Sequence, residues 1–278
     1  MKLAAVVVSY NYSNEQLFEN VKNYISNVEL LIIWDNTPSN KKQLNDSYWV
    51  DKRKPVVILS TGKNEGIGYG LNRAIQYAKD SNCTHILTMD QDSVWRDFVG
   101  YRATIENDNE ENVALYAPTI ADADSDFVYR CNKPDLYAIT SGSIVNIDIA
   151  YRIGLFNEKF FIDEVDNEYC VRAVKNGYHI KVYDNCFLYQ QFGEKQKSLF
   201  GRNNRGGYSA TRTFYQVRNR IWMWKLYPNN LSYKYHLRTI LVTILQRLWY
   251  ILLYEHQKIS KIGAILKGIT KGLSKSPR

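Results

Sequence analysis

Histidine and cysteine are scarce and scattered in this 278-residue chain, four of each, with no CxxC pair and no spacing that completes a metal-ligand pattern. That removes a disulfide framework and a zinc centre from consideration. Internal repeats and low-complexity linkers are missing as well, so one large α/β core with a small appendage is the simpler organisation. No long uncharged apolar run is present either. The most apolar stretch, Leu237 to Tyr254, is interrupted by Arg238, Gln246 and Arg247, which argues against a spanning helix. The opening run Leu3 to Val8 is followed by polar residues rather than a cleavage site; it reads as a buried strand, and the expected location is cytoplasmic. Acid, finally, is nearly missing from the C-terminal part. From Gly201 onward 15 Lys and Arg face one acid, Glu255, for a charge of +14, while the rest of the chain carries −6. Such a segment suits nucleic acid or an anionic membrane surface. Its apolar residues form aliphatic stripes rather than exposed stacking aromatics, and the main domain has no basic patch, which argues against nucleic acid.

What is present begins with alternation. Leu3 to Val8, Leu30 to Trp34, Val56 to Leu59 and His85 to Met89 read as buried strands, separated by helix-like runs, the pattern of parallel strands joined by crossover helices. Leu17, Phe18, Val21, Tyr24 and Ile25 recur at helical spacing after a Ser13/Gln16 capping box, predicting a helix from about Asn14 to Ser26. Ile67, Leu71, Ala74, Ile75 and Ala78 mark a second helix after Asn64-Glu65-Gly66-Ile67-Gly68. Short runs such as Leu136 to Ile139 and Ser143 to Ile147 suggest antiparallel or mixed sheet. Val165, Tyr169 and Ala173 line a helix that Gly177 terminates, and His179 to Tyr183 returns as a strand. Pro228 with Asn229 and Asn230 is the best boundary, giving a domain of residues 1–227 and a tail of 228–278.

Two acidic clusters can carry chemistry. Asp90 and Asp92 lie two apart at the end of an apolar strand, where open α/β sheets bind ligands. Magnesium or manganese takes oxygen ligands and keeps phosphate oxygens in its shell, so an acidic pair plus a diphosphate makes a sufficient site. The bland alternative is a solvated acidic turn. The second cluster, Asp163, Glu164 and Asp166, opens a helix behind Phe160 and Phe161, and a carboxylate there can accept a proton from an attacking hydroxyl. Acids that merely complement a helix N-terminus would look the same.

With Val7-Val8-Ser9-Tyr10-Asn11, Trp34-Asp35-Asn36, Asn64-Glu65-Gly66-Ile67-Gly68, Asp90/Asp92, Thr140-Ser141-Gly142-Ser143, Phe161-Ile162-Asp163 followed by Val165, Asp166 and Glu168, and Arg212-Tyr215-Arg218-Asn219 in this order, the chain resembles the GT-A-fold, family 2 inverting glycosyltransferases, in their bacterial rhamnosyltransferase-like branch. The likeness runs from Val6 to about Tyr227. It implies an α/β, Rossmann-like mixed sheet flanked by helices, and a metal-dependent enzyme that moves a sugar from a nucleotide donor to a saccharide or lipid-linked acceptor in cell-surface polysaccharide synthesis. On that resemblance Ser9, Tyr10, Asp35 and Asn36 form the base and ribose pocket, and Asn64, Gly66 and Asn72 the donor-side loop and helix. Asp90 and Asp92 hold Mg2+ or Mn2+ with the diphosphate, and Asp166 is the catalytic base. Gly142, Asp163 and Glu168 orient acceptor or sugar, while Arg212 and Arg218 reach the donor diphosphate. The implied donor is dTDP-L-rhamnose; a UDP-hexose or UDP-galactofuranose donor stays open, as do a non-catalytic carbohydrate-binding protein on the same fold and a nucleic-acid-binding protein using the basic tail.

One departure is visible. Related sequences often place a histidine after the strand that follows the catalytic helix, whereas this chain reads Tyr189-Gln190-Gln191-Phe192-Gly193, with Gln190 nearest that position; a glutamine carbonyl is a weaker ligand, so a third protein ligand is not expected and metal binding depends largely on the donor phosphates. In the tail, Ile259, Ile262, Ile265, Leu266, Ile269 and Leu273 form an apolar stripe beside Lys258, Lys261, Lys267, Lys271 and Lys275, as in an amphipathic interfacial helix. The expectation is peripheral docking on the anionic inner face of the cell membrane, the alternative a helix at a homodimer seam.

Overall fold

The computed structural model describes all residues except 51–53, 124–127, 130–136, 191–193, 199–200, 230–232, 276 and 278. The chain divides into two compact units, Met1–Glu158 with Asp166–Gln191 and Lys159–Val165 with Phe192–Arg278.

The first unit is a mixed sheet with helices. In chain order it comprises β1 (Leu3–Ser9), α1 (Asn14–Val21), β2 (Leu30–Asp35), β3 (Val56–Leu59), α2 (Ile67–Asp80), β4 (His85–Asp90), β5 (Ser93–Trp95), α3 (Phe98–Glu106), β6 (Val113–Asp122), β7 (Val128–Tyr129), β8 (Ser143–Asn146), α4 (Ile147–Ile153), α5 (Val165–Lys175) and β9 (His179–Gln190). The strand order is β3-β2-β1-β4-β8-β6-β9-β5, with β7 paired to β6. Strands β3, β2, β1 and β4 are parallel; β8 runs antiparallel to β4 and β6, and β5 antiparallel to β9. The apolar runs of β1 and β2 are continuous because both faces are covered: Leu3 to Val6 and Leu31 to Ile33 have no exposed surface. Each Leu, Val or Ile among them contributes roughly 1.5–3 kcal/mol of burial. The order reverses at β1, whose neighbours are β2 and β4, and ligands of open α/β sheets bind at such a switch point.

Helix α1 begins with the expected capping box, Ser13 and Gln16 bonding reciprocally. It stops at Val21, short of Ser26, and Ile25–Asn27 follows as a tighter 3-10 turn that keeps Tyr24 and Ile25 buried. Of the expected strand Leu136 to Ile139, Leu136 lies outside the described residues and 137–139 form no strand. Strand β9 runs to Gln190 rather than ending at Tyr183. Its pairing with β6 jumps from Pro118↔Tyr183 to Thr119↔Phe187, so an irregularity absorbs the polar residues that hid the second half from a period-two pattern. The three described cysteines, Cys83, Cys170 and Cys186, are free and buried.

The second unit contains the hairpin β10 (Glu194–Ser198) and β11 (Gly201–Gly206), then α6 (Ala210–Leu226), α7 (Tyr233–Tyr254) and α8 (Lys258–Ser274). Val217, Ile221, Ile240, Ile251 and Ile265 form its core. Helix α8 lies against α6: a Cβ on Gly268 would come within 2.9 Å of the Phe214 carbonyl oxygen, and one on Gly272 within 2.9 Å of the Ile221 side chain. This packing splits the expected tail stripe. Ile265 is buried and Ile262 and Ile269 border the core, whereas Ile259, Leu266 and Leu273 face outward. Glu255, 3% exposed, accepts from Arg247 Nη1 at 3.0 Å and from Lys261 Nζ at 2.7 Å. Burial pushes its pKa up, but the bonds from Lys261 and Arg247 together outweigh that and hold it below the usual value. His236–Tyr254 is, by length and composition, long and apolar enough to cross a membrane, with mean hydropathy 1.3. Two arginines count against a span, and Arg247 shares the single Glu255 carboxylate with Lys261, so this buried group keeps one positive charge.

Candidate active site

The parallel register brings three of the predicted positions together. Ser9 pairs with Asp35, and Val8 with Asp90, so the C-terminal ends of β1, β2 and β4 place these residues along one edge of the sheet, Asp90 one register step from Ser9. Ser9 is fully buried, and its Oγ finds no hydrogen-bond partner among the described residues. Tyr10 turns outward, 42% exposed, with Lys41 Nζ 5.3 Å from its ring centroid; its backbone N–H donates to Gln91 Oε1 at 2.6 Å.

Several expected donor residues hold the frame of this edge. Asp35, buried, accepts from the backbone N–H groups of Thr37 (2.9 Å) and Leu44 (3.2 Å), which fixes the loop after β2. Asn36 Nδ2 donates to the Gly66 carbonyl at 3.1 Å while its Oδ1 accepts from Trp34 Nε1 and Glu65 N–H, tying that loop to the start of α2. Asn64, exposed, accepts from Gly66 N–H at 3.0 Å, and Gly66 caps α2 at φ +86°. Asn72 is 4% exposed and clamps a distant segment: Nδ2 donates to the Phe156 carbonyl (2.9 Å) and Glu158 Oε1 (2.8 Å), and Oδ1 accepts from Phe156 N–H (2.9 Å).

Beyond β4 the acidic pair sits on a braced turn. Asp90 N–H donates to Ser141 Oγ at 3.2 Å, Ser141 Oγ donates to Ser93 Oγ at 2.8 Å, and Gln190 Nε2 donates to Asp90 Oδ2 at 3.0 Å. Asp92 follows in the turn to β5 and is exposed. Gly142 reaches φ +78°, and a Cβ there would meet Leu188, Pro118 and Trp95 at 2.8, 2.9 and 3.2 Å; its N–H donates to the Thr88 carbonyl at 2.7 Å. Only glycine fits that position. Among the described residues no group of three or more His, Cys, Asp or Glu is set to hold a metal. Two carboxylates and an amide offer oxygen donors only, which suits Mg2+ or Mn2+ completed by phosphate oxygens.

On α5, Asp166 is half-buried and accepts from Asn167 N–H at 2.9 Å. Glu168, 2% exposed, is held by both arms of Arg172, at 3.0 and 2.9 Å, and Arg172 also donates to the carbonyls of Ile153, Gly154 and Leu155. A bidentate pair this buried is a brace between α5 and the segment after α4.

The second unit carries the other predicted residues. Arg212 forks onto Asp163 at 3.2 and 3.3 Å. Arg218, 9% exposed, donates to the carbonyls of Lys159 (2.7 Å) and Phe160 (3.2 Å) and lies against the rings of Phe214, Tyr215 and Trp222. Burial lowers its pKa to about 10. The sequence motifs assigned no role to Lys41, Ser93 or Arg172 and included Ser141 and Asn219 only in passing; the Arg172–Glu168 pair is a local i,i+4 contact, whereas the partners of the others come from tertiary structure.

Residues 5–152, more than half of the chain, match the family described as "Glycosyl transferase family 2". The chain belongs to this family. The glycosyltransferase is 27% identical over 236 residues to the dTDP-rhamnosyl transferase RfbF of Shigella flexneri, 77% of each protein being covered. Among solved structures it is similar to the mannosyltransferase PcManGT of Pyrobaculum calidifontis in complex with GDP-Man and Mn2+ (TM-score 0.59, 12% identity, 99% of this chain and 76% of that one). It is also similar to residues 1-349 of S. aureus TarS (TM-score 0.58, 14% identity, 97% and 81%). A longer TarS chain matches with TM-score 0.54 and 13% identity over 99% of this glycosyltransferase, which spans 44% of it. These likenesses establish the GT-A fold that the motifs implied.

Proposed function

We propose that this glycosyltransferase moves L-rhamnose from dTDP-rhamnose to a saccharide or lipid-linked acceptor, with inversion, in building a cell-surface polysaccharide. The observation that carries the reading is the convergence of Ser9, Asp35 and Asp90 on one sheet edge at the switch point of a family 2 sheet. The choice of sugar rests on the relative whose name specifies a dTDP-rhamnosyl transferase.

In this reading the exposed Tyr10 ring lies against the base, with the buried Ser9 beneath it at the end of β1. Asp90 and Asp92 hold Mg2+ or Mn2+, which when bound neutralises charge on the leaving diphosphate. Gln190 keeps Asp90 in one orientation. Asp166 accepts the proton of the acceptor hydroxyl as its oxygen attacks the anomeric carbon opposite the diphosphate. The carbon–oxygen bond to the diphosphate breaks, dTDP departs with the electron pair, and the anomeric configuration inverts. A positioned base of this kind contributes about 10²–10⁴-fold in rate. Asp35, Asn36, Asn64, Gly66 and Asn72 shape the donor loops, Gly142 lets the backbone pass close to the acidic turn, and Glu168 braces the helix of the base. Arg212 holds Asp163, and Arg218 serves the loop it grips. The enzyme acts at the cytoplasmic face of the membrane, where a lipid-linked acceptor is presented.

The test is release of nucleoside diphosphate from a panel of dTDP- and UDP-sugars with Mn2+, Mg2+ or EDTA. Metal-dependent turnover of dTDP-rhamnose above all others is the expected result; turnover of a UDP-hexose instead would overturn the donor assignment.

A further inference from the structure

Helix α7 has one face built into the second unit and one that is not. Ile240, Arg247 and Ile251 point into the core with α6 and α8. The opposite side exposes Leu241, Val242, Leu245, Trp249, Leu252 and Leu253, each between 40 and 63% open, over more than three turns in which Gln246 is the one exposed polar residue. A continuous apolar strip of that length is unusual on a protein surface and marks a contact. Its surroundings identify the occupant. Glu255 is the only carboxylate side chain from Gly201 onward, and it is buried against Arg247 and Lys261, so this stretch of chain exposes no acidic side chain. Arg238, Lys258, Lys267 and Lys271 are all exposed.

We infer that the outer face of α7 docks in the interface of an anionic lipid bilayer, the helix lying in the membrane plane with its basic neighbours among the headgroups. Apolar strips rimmed by Lys and Arg bind such interfaces by burying the strip and pairing the cations with anionic lipid. A second copy of the chain seated here would set two predominantly basic helical stretches against each other, which like-charge repulsion opposes. A span across the bilayer would carry the buried Arg247–Glu255–Lys261 group into hydrocarbon, at high cost. The sequence pointed to the stripe on α8; the structure turns half of that stripe toward α6 and leaves α7 as the main apolar surface. The surface deepens the membrane part of the function proposed above, but docking depends on this unit alone and is measured without turnover.

The full chain is floated with vesicles of neutral phosphatidylcholine and with vesicles containing phosphatidylglycerol, as wild type and as Leu245→Glu/Trp249→Glu. The expected result is binding to anionic vesicles that falls at least tenfold for neutral ones and at least tenfold in the double variant, with an unchanged unfolding midpoint and unchanged donor hydrolysis. Trp249→Phe serves as a conservative second variant: brominated lipid should quench wild-type tryptophan fluorescence and lose most of that quenching in the variant. Equal binding by the double variant, equal binding to neutral vesicles, quenching that survives Trp249→Phe, or a dimer dissociated by the double variant with no lipid binding would each overturn the inference.

Discussion

Asn219→Ala tests how the chain holds the segment that leads into the helix of the proposed base. Asn219 has no exposed surface. Its Nδ2 donates to the carbonyls of Phe160 (2.9 Å), Ile162 (2.7 Å) and Asp163 (2.8 Å), and its Oδ1 accepts from Arg218 at 2.9 and 2.7 Å. The segment needs such a grip, because Phe161, Asp163 and Glu164 sit at φ +65°, +60° and +65°, where side chains with a Cβ are strained by about 1–3 kcal/mol each. Two N–H groups serve three carbonyls, so not all bonds are full strength. Stranding buried acceptors costs about 1–3 kcal/mol apiece, and a relaxing backbone recovers part of it, leaving an expected loss of about 2–4 kcal/mol. For a chain of this size that lowers Tm by very roughly 5–10 °C. Denaturant unfolding gives the magnitude, and hydrogen exchange shows whether the amides of 161–164 open first. Asn219→Asp sharpens the argument, since it keeps the shape and the contact with Arg218 but turns a carboxylate oxygen toward the three carbonyls. It should be at least as damaging as alanine. A loss below 1 kcal/mol in Asn219→Ala, or a fully stable Asn219→Asp, would refute the reasoning.

Gly142→Ala forces a Cβ against Leu188 and Pro118 at φ +78°; turnover should fall at least tenfold and stability by about 1–3 kcal/mol, read from kcat and thermal melts. Glu168→Gln removes the charge from the clamp on Arg172 and should cost about 3 kcal/mol, since Arg172 is left without its buried counter-ion; chemical denaturation measures it. His85 is held neutral by burial, which lowers its pKa from 6.5 to about 4. The unfolded chain therefore binds its proton first as pH falls, so this group's contribution is full above pH 6.5 and declines toward pH 4. His85→Gln should flatten the stability profile over that window.

The parallel half of the sheet was legible because β1, β2 and β4 are buried on both faces and read as unbroken apolar runs, and α1 because Ser13 and Gln16 are local partners. Asp90 and Asp92 were legible for the same reason: they follow directly on a recognisable strand. What could not be read was the partner of each polar side chain. Asn72 meets Phe156 across 84 residues, and Arg218 meets Lys159 across 59, and no local pattern distinguishes a residue that grips backbone from one that grips a ligand. The outward face of α7 was hidden for a related reason, since an apolar helix shows its core-facing side only once α6 and α8 are packed on it.

Asp166 carries the central claim, and the most direct measurement is single-turnover transfer from dTDP-rhamnose in the presence of Mn2+, with the anomeric configuration of the product read by NMR, for wild type and Asp166→Asn. The account predicts a product anomer opposite to that of the donor and a single-turnover rate constant lowered 10²-fold or more in the variant, with donor binding by calorimetry unchanged. Retention of configuration, or an Asp166→Asn enzyme that turns over at the wild-type rate, would contradict it.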